Sequence, residues 1–111
     1  ISIILFLCNK LGIKTEFIRS SDLNISSASE TKIIEICSAL KCDLYYSGTG
    51  ARAYQNEEHF VQNGIKLKYS EYCVFQYKQQ FQGFQSNVTI LDFIMNCGYN
   101  WDFVLKQQEK I

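Results

Sequence analysis

Residues 45–52 read Tyr45-Tyr46-Ser47-Gly48-Thr49-Gly50-Ala51-Arg52, and this stretch decides the fold that the sequence predicts. The tyrosines are typical of a β-strand, the two glycines indicate a turn, and the residues from Ala51 onward are compatible with a helix. A strand, a glycine turn and a helix in this order present backbone N–H groups and a helix N-terminus to an anion. This order is typical of an α/β domain.

The glycine turn is a candidate anion site. Glycine tolerates positive φ and lets a ligand approach the backbone closely, and the Arg52 guanidinium is a planar donor for carboxylate or phosphate. We interpret five residues as candidate substrate-binding groups: Ser47, Gly48, Thr49, Gly50 and Arg52. The alternative is a tight turn that only packs the next helix, with Arg52 on a solvated face.

Hydrophobic periodicity extends the pattern along the chain. Apolar and polar residues alternate over 13–19 and 65–69, which predicts strands on either side of the strand at 44–46. We predict helices over 1–11, from a cap at Ser26, Ser27 or Ser29 to residue 40, over 51–63, after an Asn87 cap, and over 101–110, with a loop at 71–86. Alternating strands and helices predict an α/β fold with a mainly parallel sheet and helices on its faces.

Three polar segments follow the ends of the predicted strands. They are Ser20-Ser21, the glycine turn and the loop 71–86. Because ligands of parallel sheets bind beyond the C-terminal ends of the strands, we expect the three segments to share one rim. Ser20 and Ser21 are therefore further candidate substrate-binding residues.

Length, charge and cysteine content limit the classes of function. A chain of 111 residues predicts one domain, and 11 basic against 11 acidic residues argue against binding to nucleic acid or to a membrane surface. Five irregularly spaced cysteines with one histidine favour free thiols in a reducing cytoplasm over a disulfide scaffold or a zinc site. The apolar start at residues 1–8 is too short to cross a bilayer. We expect it to be the end of an element in a longer gene product.

The loop 71–86 and the segment after it carry the other candidate residues. Asp92 lies among apolar residues, so it needs a partner. It could pair with Arg52, cap a nearby backbone group or act as a general base, and a structural salt bridge or hydrogen bond is favoured over catalysis. Asn96 lies four residues on, on the same helical face. Tyr77 and Gln79 belong to an aromatic, amide-rich loop that could bind a sugar or simply cover a core.

Two ordered motifs resemble the WbqC-like family. The first is Tyr46-Ser47-Gly48-Thr49-Gly50-Ala51-Arg52-x-Tyr54, followed by Phe60-x-x-x-Gly64-Ile65. The second begins Tyr77-x-Gln79-x-Phe81-x-Gly83-Phe84 and continues Asn87-Val88-Thr89-Ile90-Leu91-Asp92-x-Ile94-x-Asn96-Cys97-Gly98. The motifs keep their order and spacing over nearly the whole chain.

This resemblance implies a role in the biosynthesis of O-antigen and other surface polysaccharides. The implied reaction is transfer of an amino acid such as glycine, or of a small acyl group, to a sugar by a cytoplasmic enzyme. The substrate is then an activated sugar or amino acid. Asp92 and Tyr77 are candidate catalytic residues, and Gln79 and Asn96 join the substrate-binding set. The cofactor is unknown.

The resemblance also implies that residues 1–111 are the C-terminal portion of a WbqC-like domain about twice as long. The missing N-terminal half is then an expected partner. Two other interpretations remain open: a non-catalytic module that binds a nucleotide-sugar or scaffolds a biosynthetic complex, and a truncated copy without activity. Val74-Phe75 stands where the family commonly has His-Pro, Ser86 replaces a proline, and Thr89 replaces a serine but keeps its hydroxyl.

Overall fold

The computed structural model describes residues 1–109, which contain five α-helices, two 3₁₀ helices and two strands. The α-helices are α1 (Ser2–Lys10), α2 (Ser29–Ala39), α3 (Glu57–Gln62), α4 (Ile90–Cys97) and α5 (Trp101–Gln108). The strands are β1 (Leu44–Gly48) and β2 (Lys66–Ser70), and the 3₁₀ helices span Ser20–Leu23 and Thr49–Tyr54.

The chain forms two compact units. The sheet unit is Phe17–Glu71, and the helical unit consists of Ile1–Glu16 together with residues 72–109. The α/β character that the sequence predicts is confirmed. A single domain over residues 1–111, and its place in a larger domain, stay predictions.

The sheet unit is built on one parallel pair of strands. β1 pairs with β2 so that Tyr45 lies opposite Leu67. Its core contains Cys37 of α2, Phe60 of α3, Ile65 and Leu67, and the Tyr45 ring stacks on the Phe60 ring with centroids 5.7 Å apart. Since side chains alternate along a strand, the opposite face presents four exposed residues: Leu44, Tyr46, Lys66 and Lys68.

Two predictions in the sequence before and after β1 are wrong. Residues 13–19 form no strand, so the sheet described within residues 1–109 has two strands rather than three. The helix predicted over 51–63 is divided, because Gln55 is extended and the Asn56 side chain accepts a hydrogen bond from the Glu58 N–H. This cap begins a new helix, α3. The strand at 65–69 and the helix end at Asn63-Gly64 are confirmed.

The caps predicted for two helices are also corrected. α2 begins at Ser29 after Ala28, so none of the three candidate serines is its N-cap, and the Ser27 hydroxyl donates to the Glu35 carboxylate. α4 begins at Ile90, where the Thr89 hydroxyl accepts from the Leu91 N–H at 3.1 Å. The hydroxyl that threonine shares with serine is therefore the group that caps α4.

The helical unit is packed around aromatic rings. Phe93 of α4 is only 3% exposed, and its ring contacts those of Phe75, Tyr77 and Phe103 at centroid distances of 6.3, 5.2 and 6.2 Å. Residues 71–86 form no helix or strand, as predicted. Gly98 ends α4, and α5 confirms the terminal helix as far as Gln108, while Lys110 lies outside the described residues. Among residues 1–109 no helix is long and apolar enough to cross a membrane.

Candidate functional site

Residues 73–79, which precede α4, alternate between half-buried and exposed side chains. Cys73, Phe75, Tyr77 and Gln79 are half-buried, while the residues between them are exposed. The segment is fixed to α5 by Gln108, whose Oε1 accepts from the Cys73 N–H at 3.0 Å and whose Nε2 donates to the Cys73 carbonyl at 2.8 Å. This alternation directs Tyr77 and Gln79 toward α4.

The Asp92 carboxylate is the centre of the site. Tyr77 donates its hydroxyl to Asp92 Oδ2 at 2.6 Å, and Gln79 Nε2 donates to the same oxygen at 2.9 Å. Gln79 Nε2 also lies 3.5 Å from the Tyr77 oxygen. Two partners of Asp92 therefore come from the loop, a phenol and an amide that are two residues apart in the sequence.

Gln79 also closes the loop that follows it. Its Nε2 donates to the Gln85 carbonyl at 3.0 Å, and its Oε1 accepts from the Gln85 N–H at 2.9 Å. Between them Gly83 adopts a φ of +81°, a conformation that side chains other than glycine rarely accept. The amide of Gln79 thus holds both ends of a tight loop while it orients Asp92.

Asn96 contributes from the next turn of α4. Its Nδ2 donates to the Asp92 backbone carbonyl at 2.8 Å and lies 3.3 Å from Asp92 Oδ1. The spacing of four residues places both side chains on one helical face. Asp92 Oδ2 therefore accepts two short hydrogen bonds, while Oδ1 accepts one long one and is the freer oxygen.

Burial and the Asp92 carboxylate raise the pKa values of two neighbouring side chains, Tyr77 and Cys97. Burial raises the pKa of the Tyr77 phenol above its ordinary value, and the hydrogen bond to Asp92 raises it further. Burial and then the charge of Asp92 also raise the pKa of the Cys97 thiol. Tyr77 is thus held as a protonated hydrogen-bond donor, and Cys97 is not activated as a thiolate.

Asp92 lies in the wall of an open groove of about 630 Å³. The lining combines amide side chains with apolar ones: Gln79, Gln80, Phe81, Gln82, Gly83, Gln85, Val88, Asp92, Met95 and Asn96. Phe81 and Met95 are 81% and 87% exposed. The groove offers exposed apolar surface beside several hydrogen-bonding groups, which is the mixed character that binds a polar ring.

A smaller cavity of about 250 Å³ is lined in part by Tyr77. It is lined mostly by apolar side chains, among them Phe75, Phe84, Phe93 and Trp101. The Tyr77 ring contacts the Phe84 ring at 5.3 Å. The phenol therefore stands with its ring against the aromatic core and its hydroxyl on Asp92.

The glycine turn belongs to the sheet unit and has a different character. Ser47 and Gly48 are the last residues of β1, and Thr49, Gly50 and Arg52 lie in the 3₁₀ helix Thr49–Tyr54. Neither glycine has positive φ, so the turn does not use their conformational freedom. A Cβ at either glycine would meet no atom within 4 Å. The backbone of the turn is consequently open on this side.

Ser47 and Arg52 make different contacts in this turn. Ser47 is buried, 4% exposed, and its hydroxyl lies 3.4 Å from the Gly48 carbonyl. The Arg52 guanidinium lies over the Tyr69 ring at 4.6 Å from the centroid, as in a cation–π contact. Arg52 is exposed, so its donors can still bind an anion.

The sequence predicted that Ser20 and Ser21 follow the end of a strand, but residues 13–19 form no strand. Ser20 and Ser21 are exposed residues of the 3₁₀ helix Ser20–Leu23 in the sheet unit, and no strand leads into them. The structure brings together Tyr77, Gln79, Asp92 and Asn96 in the helical unit. Sequence reasoning missed the part of Gln85, Gln82 and Met95, for which the repeated glutamines of 76–85 were the available signal.

Most of the chain is similar to known proteins. Residues 1–101 match the WbqC-like protein family. This chain belongs to the WbqC-like protein family. A relative is the uncharacterized protein Rv1507c of Mycobacterium tuberculosis, 31% identical over 93 residues. The match covers 83% of this chain and 40% of the relative, so the matched part spans about two fifths of that protein's length. No solved structure matches the chain.

Proposed function

We propose that this WbqC-like chain acts in the biosynthesis of O-antigen or another surface polysaccharide, in the cytoplasm. In the proposed reaction an amino acid such as glycine, or a small acyl group, is transferred to a sugar. The groove at Asp92 binds the sugar. Its small-molecule partners are an activated sugar or amino acid, and the N-terminal half of the same domain is its protein partner.

The observation that carries the proposal is the amide-lined groove around an oriented carboxylate. A sugar has hydroxyl groups on its rim and apolar C–H faces, so it binds where amides and an exposed ring stand side by side. Gln82 and Asn96 supply amides, and Phe81 supplies the ring. Asp92 is held in place by Tyr77 and Gln79, and a carboxylate oriented in this way accepts hydrogen bonds from sugar hydroxyls.

In this proposal Asp92 is the general base and Tyr77 positions it. The freer oxygen, Oδ1, accepts the proton of the attacking sugar hydroxyl or amine while the new bond forms to the acyl carbon and the leaving group departs with its electron pair. Tyr77 keeps its own proton because its pKa is raised. Separately, the glycine turn with Ser47, Gly48, Thr49, Gly50 and Arg52 stays a candidate anion site of the sheet unit.

One observation favours a second function, a non-catalytic module that binds a nucleotide-sugar or scaffolds a complex. Asp92 already accepts hydrogen bonds from Tyr77, Gln79 and Asn96. A carboxylate whose two oxygens are both engaged is typical of a structural network. In this alternative the groove binds sugar but forms no product.

The first test is sugar binding in the groove. Isothermal titration calorimetry with methyl glucoside and methyl galactoside should show binding that Phe81→Ala and Gln82→Ala each weaken several-fold. Tyr72→Ala and Gln76→Ala are matched controls, because both residues are exposed and neither lines the groove. Binding that all four variants leave unchanged would contradict the proposed site.

The second test separates transfer from binding alone. The protein is incubated with a sugar and an activated amino acid, and the mass of the sugar is measured afterwards. Transfer predicts an added mass that disappears in Asp92→Asn and persists in Asp102→Asn, an exposed aspartate of α5. Sugar binding without any added mass would favour the non-catalytic module.

A further inference from the structure

Asp92 is a half-buried carboxylate without a counter-ion. Its three hydrogen-bond donors are a phenol and two amides, all neutral. Within residues 1–109 the ion pair formed is that of Glu30 with His59, and Asp92 has no cationic partner. Removing a carboxylate from water costs free energy that neutral donors offset only in part.

The lining of the groove also contains no cation that could balance the charge of Asp92. Its ten residues include one ionisable side chain, Asp92, and no lysine, arginine or histidine. Gln80 and Gln82 in this lining carry amides, which can turn either an oxygen or an N–H toward a neutral ligand. The lining therefore carries a negative formal charge, which disfavours a phosphate and favours a cation.

We infer that the groove takes a ligand with a primary ammonium group, which binds Asp92 Oδ1, and that it discriminates against phosphorylated ligands. Oδ1 is the appropriate oxygen because its one donor, Asn96 Nδ2, lies as far away as 3.3 Å. An ammonium donates up to three hydrogen bonds, one to this oxygen and others to groove amides. The inference rests on the proposed function in placing the substrate in this groove.

The ammonium could come from two sources, an amino sugar or an amino acid. Each is therefore tested against a neutral partner of similar shape, below the pKa of the amine. Glucosamine is compared with glucose, glycinamide with acetamide, and glucose 6-phosphate measures the response to phosphate. We expect the ammonium compound of at least one pair to bind about tenfold more tightly than its neutral partner. Glucose 6-phosphate should bind more weakly than glucose.

The charge of Asp92 is tested with Asp92→Asn against Asp102→Asn. We expect Asp92→Asn to bind the ammonium compound and its neutral partner equally, and Asp102→Asn to keep the wild-type preference. Because Asp92→Asn also disturbs the bonds to Tyr77 and Gln79, added salt gives a second measurement on the wild type. Salt should weaken the binding of the ammonium compound and leave the neutral partner unchanged.

The outcomes separate this inference from the proposed function. Equal binding of glucosamine and glucose, insensitive to salt, would overturn the ammonium inference and leave sugar binding intact. A preference for glycinamide alone, without binding of either sugar, would support the ammonium inference and contradict the placement of the sugar in this groove. A folded protein that binds none of these compounds would overturn both.

Discussion

The sheet unit and the helical unit present their polar groups in opposite ways. The sheet unit holds the most prominent motif of the sequence, yet Ser47 is buried, and Arg52 lies on a tyrosine ring. The helical unit holds a loop without regular structure, yet that loop directs Tyr77 and Gln79 onto one carboxylate. Convergence of side chains, rather than prominence of a motif, marks the better candidate site.

The two units also differ in how they hold a carboxylate. Glu30 of the sheet unit accepts from the Asn56 N–H at 2.8 Å and lies 2.6 Å from His59 Nδ1, so it joins α2 to the start of α3 and has a titratable partner. Asp92 has neutral partners and faces a groove. Glu30 therefore has a partner that can carry positive charge, whereas the three donors to Asp92 are neutral groups.

We expect the largest loss of unfolding free energy from a substitution in the apolar core of the sheet unit. Phe60 is fully buried, so Phe60→Ala should lower the free energy of unfolding by about 3–5 kcal/mol through lost contacts and a cavity. Phe81→Ala removes the same ring from an exposed position and should change it by less than about 0.5 kcal/mol. Urea denaturation measures both. Equal effects would contradict the burial that defines this core.

The next effect compares the two candidate sites directly. Asp92→Ala leaves the donors of Tyr77 and Gln79 without their acceptor and should cost about 1–3 kcal/mol of unfolding free energy. Arg52→Ala removes an exposed cation–π contact and should cost about 0.5–1 kcal/mol. Urea denaturation of the two variants ranks them. A larger loss for Arg52→Ala would reverse the comparison.

A smaller effect concerns the loop that Gln79 closes. Gln79→Ala removes the acceptor of the Gln85 N–H, so we expect this amide to exchange its hydrogen several-fold faster with solvent. Gln76→Ala is the matched control, because Gln76 is exposed in the same segment. Amide exchange followed by NMR measures the rates. An unchanged rate at Gln85 in Gln79→Ala would contradict the described closure.

The smallest effect is a pH dependence in the sheet unit. The hydrogen bond from the Asn56 N–H, and then that with His59, hold the pKa of Glu30 below its ordinary value. The stability that Glu30 contributes is therefore fully present above the unfolded pKa of about 4.3, and it is lost as pH falls through the lower folded pKa. The urea midpoint of Glu30→Gln should fall less on acidification than that of Glu57→Gln. Equal losses would argue against this role of Glu30.

The sequence predicted what local chemistry decides. The parallel pair β1–β2, the helix end at Asn63-Gly64 and the helix end at Gly98 follow from alternation, β propensity and glycine at the ends of helices. The strand over 13–19 was wrong because alternation describes a side-chain pattern and not a pairing partner. The Asn87 cap and the serine caps proposed for α2 were wrong because several hydroxyls and amides compete for each helix start.

The sequence predicted which residues belong to the candidate site but not how they contact one another. Tyr77, Gln79, Asp92 and Asn96 were each named, but the spacing within the sequence could not choose between Arg52, a backbone group and the loop as the partner of Asp92. That choice depends on how the segment 73–79 packs against α4. The Gln79–Gln85 closure also required the positive φ of Gly83.

The most direct test of the account is an NMR titration of the protein with glucosamine, read at the backbone and side-chain amides. We predict shifts at the side-chain amides of Gln79, Gln82 and Asn96 and at the backbone of Phe81, with Gly48, Gly50 and Arg52 unchanged. Shifts confined to residues 48–52 would contradict the assignment of the ligand to the Asp92 groove.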